Sequence, residues 1–182
     1  MDKFLINSFP KSGDAFIYNA ISSMYTDSEV VIGAHSAANF LNQSSNKIVT
    51  VVRNPADSIG LYFYLKNDYL KDDSLEIDMY SDYYIRFYNA VLENKNNIVL
   101  VDFEEMKLDL DHIVAKILNK FNINISASIT MSELEPKLLD FDENYNLPIL
   151  NSIAVEEAKT KVINSAKYEE CVDIYNLVKD LI

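Results

Sequence analysis

The chain holds one cysteine (Cys171), two histidines (His35 and His112) and two arginines (Arg53 and Arg86) in 182 residues. A single cysteine excludes an intramolecular disulfide framework and a thiolate cluster for zinc or iron–sulfur. Two histidines make a multi-histidine metal site an unattractive reading as well. No apolar run is long enough to cross a membrane. The start, Met1-Asp2-Lys3-Phe4, has neither the basic region nor the apolar core of a secretion signal, so a cytoplasmic protein is expected. Positive charge is scarce too: 16 Lys and Arg stand against 28 Asp and Glu, a formal net charge of −12. Nucleic acids and anionic lipid surfaces both require a basic face, and neither partner is expected here. A small polyanion stays open, provided the few cations converge in one cleft.

Apolar residues make up 49% of the chain, enough for the core of one domain spanning residues 1–182. Residues 4–9 are mostly apolar, as in a strand buried on both faces, and Pro10 and Gly13 end the run. Phe16, Ile17, Ala20, Ile21 and Met24 then fall at helical spacing from Asp14. Residues 29–35 read as a second strand. Ser36–Leu41 reads as a short helix with Ser36 as N-cap, and residues 42–46 as a polar loop. Residues 47–53 are strongly β-branched and form a third strand. Pro55, with Asp57 close behind, opens a helix running to about Tyr69.

Residues 71–74 read as a solvated break. Residues 79–94 read as a helix whose apolar stripe is Tyr80, Tyr84, Phe87, Tyr88, Val91 and Leu92. Residues 98–103 form a fourth strand, and residues 108–121 a helix. Residues 122–152 lack regular pattern, and a last helical stretch, 155–182, is interrupted near Asn164-Ser165. Strands alternating with helices predict a three-layer α/β/α fold with a mainly parallel central sheet.

In such a sheet, ligands bind at the carboxyl ends of strands. Three residues with the right chemistry fall there: Lys11 past strand one, His35 closing strand two and Arg53 closing strand three. The loop at residues 10–13 also feeds a helix start, where free N–H groups and the helix dipole favour an anion.

These stretches resemble the sulfotransferase family. Phe9-Pro10-Lys11-Ser12-Gly13-Asp14-Ala15-Phe16 is similar to the family's phosphosulfate loop, F/Y-P-K-S-G-T-T-W. Arg53-Asn54-Pro55-Ala56-Asp57, followed by Tyr62-Phe63, resembles its R-N-P-K-D-V-A-V-S-Y-Y signature. Ala34-His35 resembles the T-H segment between them, and residues 99–106 the later strand and turn ending in Y-E-D-L. The order and spacing agree over roughly residues 4–121.

The resemblance implies a P-loop NTPase-like fold. It also implies transfer of a sulfuryl group from 3′-phosphoadenosine 5′-phosphosulfate (PAPS) to a hydroxyl or amine of a small-molecule or saccharide acceptor. 3′-Phosphoadenosine 5′-phosphate (PAP) would be the product, and no metal would be needed. Lys11 would neutralise charge on the departing oxygen. The amides of Ser12, Gly13, Asp14 and Ala15, with the Ser12 hydroxyl, would hold the 5′-phosphate, and Phe16 would stack on adenine in place of tryptophan. Arg53 would grip the 3′-phosphate through charge-assisted bonds. His35 would be the catalytic base, a role that the ordinary titration range of histidine suits.

The sequence departs from the family pattern at definable places. Asp14 and Ala15 replace two threonines, and Asp14 puts an anion beside a dianionic ligand unless it turns away to cap its helix. Leu61 stands where the family has a phosphate-binding serine. Ser58, one helical turn earlier, could serve instead. No glycine follows Gly60, so the family's late glycine-rich segment is absent.

Other residues read more plainly. His112 reads as a surface residue, Arg86 as solvated or ion-paired, Asp102 with Glu104 and Glu105 as helix-capping, and Cys171 as a small buried apolar group. The tyrosines of residues 62–88 can line an acceptor pocket or pack the core. Two rival functions remain: a non-catalytic nucleotide- or partner-binding relative, and a small P-loop kinase. The kinase reading is weakened because G-x-x-x-x-G-K-[ST] is missing.

Overall fold

The structure is a computed structural model that describes residues 2–24, 28–41, 47–66, 74–123 and 152–182. Four parallel strands form one sheet in the order β2-β1-β3-β4: β1 Asp2–Ile6, β2 Ser28–Ile32, β3 Lys47–Val52 and β4 Ile98–Asp102. Their registers run Asp2↔Ser28 to Ile6↔Ile32, Phe4↔Lys47 to Ile6↔Val49, and Ile48↔Ile98 to Val52↔Asp102. The predicted α/β fold with a parallel sheet is the one observed. The strands stop earlier than the sequence predicts. β1 and β2 each give way to irregular backbone three residues before the predicted end, and β3 and β4 one residue before.

Both faces of the sheet are apolar because successive side chains point opposite ways. Phe4, Ile6, Val49, Val51, Val99 and Val101 face one layer. That layer is built from α1 (Asp14–Met24), α5 (Phe103–Leu108) and α6 (Leu110–Lys120). Leu5, Ile48, Val52, Ile98 and Leu100 face the other. There lie α3 (Pro55–Leu65), α4 (Ser74–Glu93), α7 (Ser152–Ile163) and α8 (Tyr168–Lys179). A short α2 (Ala38–Leu41) follows β2, with Ser36 Oγ accepting from the Ala38 N–H at 3.2 Å.

The expected break near 164–165 separates α7 from α8. The single helix expected over 108–121 begins at Leu110, since Asp109 N-caps α6 through the His112 N–H at 2.9 Å. The break at 71–74 is partly covered: Ser74 already opens α4, and residues 71–73 lie outside the described residues. The loop at 42–46 and nearly all of the irregular stretch 122–152 also lie outside them.

The chain runs from β1 to β2 on one side and then to β3 on the other. Their carboxyl ends therefore flank a topological switch point, where open α/β sheets leave a crevice.

Candidate active site

The switch point is braced from beneath by Asn7 and Ser8, both fully buried. The Asn7 N–H donates to the Val49 carbonyl at 2.9 Å, and the Gly33 N–H donates to the Ile6 carbonyl at 2.7 Å, so the ladders extend past the strand ends. The Asn7 side-chain amide donates to the Ser36 carbonyl at 3.0 Å, and its Oδ1 accepts from Asn39 at 3.1 Å. Thr50 Oγ1 donates to the Asn7 carbonyl at 2.8 Å, and Ser8 Oγ accepts from the Val51 N–H at 2.9 Å. Two residues thus lock the ends of three strands together. Gly33 is required here, because a Cβ would fall 2.8 Å from Asn7 Oδ1.

Above this base lie two strained residues. Among the described residues, non-glycine positive φ occurs at Lys11 (64°), His35 (54°) and Asn122 (56°). Asn122 follows α6, where the Ile123 N–H reaches back to the Leu118 carbonyl at 2.9 Å. That is an ordinary helix ending with asparagine in the left-handed region. Lys11 is the third residue of a Phe9–Ser12 turn closed by the Ser12 N–H on the Phe9 carbonyl at 3.2 Å, with Pro10 second, a position that takes positive φ but favours glycine; His35 lies outside any such turn. Each such backbone costs about 1–3 kcal/mol and persists only where surrounding contacts impose it.

The contacts that hold Lys11 are visible. Arg53 Nη1 donates to its carbonyl at 2.8 Å. The Arg53 guanidinium in turn lies 4.2 Å from the centroid of the Phe103 ring. Phe103 also supports Gly13 (φ 101°), where a Cβ would strike two ring carbons at 2.6 Å. Phe103 is therefore the shared floor of the loop and of Arg53, set in place as Asp102 Oδ1 accepts from the N–H groups of Glu104 and Glu105. Burial lowers the Arg53 pKa from its ordinary value, and the fields of Asp57 and Glu104 act the other way. Its Nε is buried with no hydrogen-bond partner.

His35 is held on two sides. Its Nδ1 lies 2.9 Å from the Ser8 carbonyl oxygen. A carbonyl only accepts, so Nδ1 carries a hydrogen, and in the neutral ring Nε2 is then the nitrogen with the lone pair. The His35 carbonyl accepts from the Tyr83 hydroxyl. Burial, and next the field of Tyr62, push the Tyr83 hydroxyl up to about 12, so it stays a neutral donor.

Two more tyrosines of α4 do the same work at β3. The Tyr84 hydroxyl donates to the Arg53 carbonyl at 2.8 Å, and the Tyr88 hydroxyl to the Val51 carbonyl at 3.3 Å. Sequence reasoning missed this set, as well as Phe103. The available signal was the retention of hydroxyls in an apolar helical stripe, where phenylalanine would pack equally well.

The structure brings Lys11, Gly13 and Arg53 together at the switch point. Asp14 opens α1 and lies beside His35, with Oδ2 3.8 Å from Nδ1. Ala15 and Phe16 follow in the same first turn, where the Phe16 N–H donates to the Gly13 carbonyl at 3.1 Å, as the Ser12 N–H before it donates to the Phe9 carbonyl at 3.2 Å. Ser12 and Ser58 are placed otherwise. Ser12 is fully buried, and its hydroxyl faces Tyr88 in the core without a well-formed hydrogen bond. Ser58 is fully buried too, and its hydroxyl donates to the Asn54 carbonyl at 3.1 Å within α3. His112 is exposed and lies at the opposite end of the sheet. There it lines a cavity of about 740 Å³ with Lys95, Ile98, Lys116 and Ile182, none of them rim residues.

The fold is that of an α/β protein with a parallel sheet, and its carboxyl rim carries the Lys11 loop, Arg53 and His35. The chain belongs to the sulfotransferase domain family, whose sequence model matches residues 28–172. The match includes His35 and Arg53 and begins after the Lys11 loop. Among solved structures, one similar to it is mouse sulfotransferase SULT7A1 complexed with PAP. The two are 16% identical at a TM-score of 0.52, over 98% of this chain and 87% of that one, a likeness of fold. No curated protein matches the sequence. Among the described residues, no helix is long and apolar enough to cross a membrane.

Proposed function

We propose that the protein transfers a sulfuryl group from PAPS to a hydroxyl or amine of a small-molecule or saccharide acceptor. The observation that carries this reading is that the loop after β1 is tied to both other residues, Arg53 through the Lys11 carbonyl and His35 through the Ser8 carbonyl. The buried, unpartnered Nε of Arg53 suits an anionic ligand, since a cationic donor is otherwise left unsatisfied. That the mouse neighbour was solved complexed with PAP agrees with this choice.

When bound, PAPS supplies the sulfuryl group: the acceptor atom bonds to sulfur, the bond from sulfur to the bridging oxygen breaks, and PAP leaves with that oxygen. Lys11 stabilises the negative charge that develops on the leaving oxygen. The N–H groups of Gly13, Asp14 and Ala15 and the guanidinium of Arg53 hold phosphate groups. His35, with its proton fixed at Nδ1 by Ser8, takes the acceptor's proton at Nε2.

A second reading, a non-catalytic nucleotide-binding relative, is favoured by the burial of Ser12 and Ser58, which leaves few hydroxyls for phosphate. A screen for transfer of labelled sulfate from PAPS to phenols, sugars and amino sugars separates the two. Turnover that disappears in Lys11→Ala supports the enzyme. PAP binding without turnover on any acceptor supports the relative.

A further inference from the structure

The sequence makes Asp14 an awkward substitution, a carboxylate in place of a phosphate-binding hydroxyl. The structure gives it a different neighbour. Its Oδ2 lies 3.8 Å from His35 Nδ1, with the two side chains 16% and 32% exposed. The same Nδ1 gives its hydrogen to the Ser8 carbonyl at 2.9 Å, and the Asp14 carboxyl group lies on the same edge of the ring, beyond hydrogen-bond length but close enough to act through its charge. The backbone of His35 is independently pinned by Tyr83 and strained at a φ of 54°. A surface histidine needs none of this.

We propose that Asp14 is the charge partner of His35, a positioning residue that acts through it: Ser8 fixes the ring with Nε2 presented to the acceptor, and Asp14 stabilises the imidazolium formed when Nε2 takes up the acceptor's proton. The inference rests on the assignment of His35 as base. Asp14 touches neither donor nor acceptor in this scheme and acts through the histidine. One substitution thus changes both ends of the site. A hydroxyl is removed from the phosphate loop, and a charge partner is supplied to the base.

The two consequences have opposite signs, which makes them separable. In Asp14→Asn, kcat falls about 10- to 100-fold while PAP affinity, read as the PAP-induced rise in Tm, is unchanged or increased. In Asp14→Thr, which restores the family's residue, PAP affinity increases and kcat stays low. A double-mutant cycle supplies the decisive readout: in a His35→Ala background, Asp14→Asn causes no further loss of kcat, because its effect passes through the missing imidazole. A purely structural Asp14 gives the same loss in both backgrounds, and that outcome overturns the proposal. So does wild-type kcat in Asp14→Asn. Absence of both PAP binding and sulfate transfer in the wild type overturns the functional reading itself, and the inference with it. An active wild type with an insensitive Asp14 overturns the inference alone.

Discussion

The carboxyl rim of the sheet and the contact between α3 and α7 are both tightly built, by opposite means. At the α3–α7 contact the chain uses small groups and close approach. A Cβ on Gly60 would meet the Cγ, Cα and N atoms of Lys159 at 2.9–3.1 Å, and Ala154, Ala158 and Val162 are buried alongside. Among the described residues, no non-glycine residue of α3 or α7 lies in the left-handed region, and Lys159 forms ion pairs with Asp57 and Glu156. At the rim, packing is subordinate to hydrogen bonds from side chains to backbone carbonyls, and two residues are held in a disfavoured conformation. The first region stores stability; the second consumes it to fix Lys11, His35 and Arg53. Substitutions should therefore separate stability from activity.

The largest effect is expected at the rim. Lys11→Ala should lower sulfate transfer about 100- to 1000-fold while Tm stays near wild type, checked by turnover and thermal melts on one preparation. Gly60→Val should show the reverse: a loss of about 1–3 kcal/mol in denaturant unfolding from overpacking against Lys159, with the PAP-induced Tm shift retained. Tyr84→Phe sits between them. Removing the donor to the Arg53 carbonyl should cost about 1–2 kcal/mol and, under the proposed function, weaken PAP binding by loosening Arg53.

A pH effect belongs to the packed side. Burial raises the Cys171 thiol from 9.0 to about 11. The folded state favours the neutral thiol, so its contribution is fully present below pH 9 and is lost as pH rises towards 11. Cys171→Ala should flatten the alkaline decline in stability over that range, measured by denaturant midpoints. The smallest effect is expected for Lys159→Ala. Its ion pairs with Asp57 and Glu156, both 2.8 Å, are partly exposed and contribute no more than about 1 kcal/mol.

The contrast also explains what was legible in the sequence. Strands buried on both faces announce themselves as apolar runs, so β3 and β4 are placed to within a residue. Residues at strand ends, such as His35 and Arg53, follow from the parallel fold. Side-chain to backbone bonds between distant segments do not. Asp14 and His35 are 21 positions apart in the chain, and Tyr83 and His35 are 48 apart. Nothing in helical periodicity distinguishes a tyrosine that packs from one that also donates to a strand-end carbonyl. The inward turn of the Ser12 hydroxyl depends on the loop's conformation, which Gly13 and Phe103 set across the sheet. The break at Asp109 was readable in principle, since an aspartate three residues before His112 is an N-cap signal, but the apolar stripe continuing through Leu110 and Ile113 masks it.

In the proposed function, Arg53 and the Lys11 loop form one nucleotide-binding rim at the β1–β3 switch point. The most direct measurement is the change in Tm on adding PAP to wild type and to Arg53→Ala. A rise in the wild type that is absent in the variant is expected. No rise in the wild type, or an equal rise in both, would contradict it.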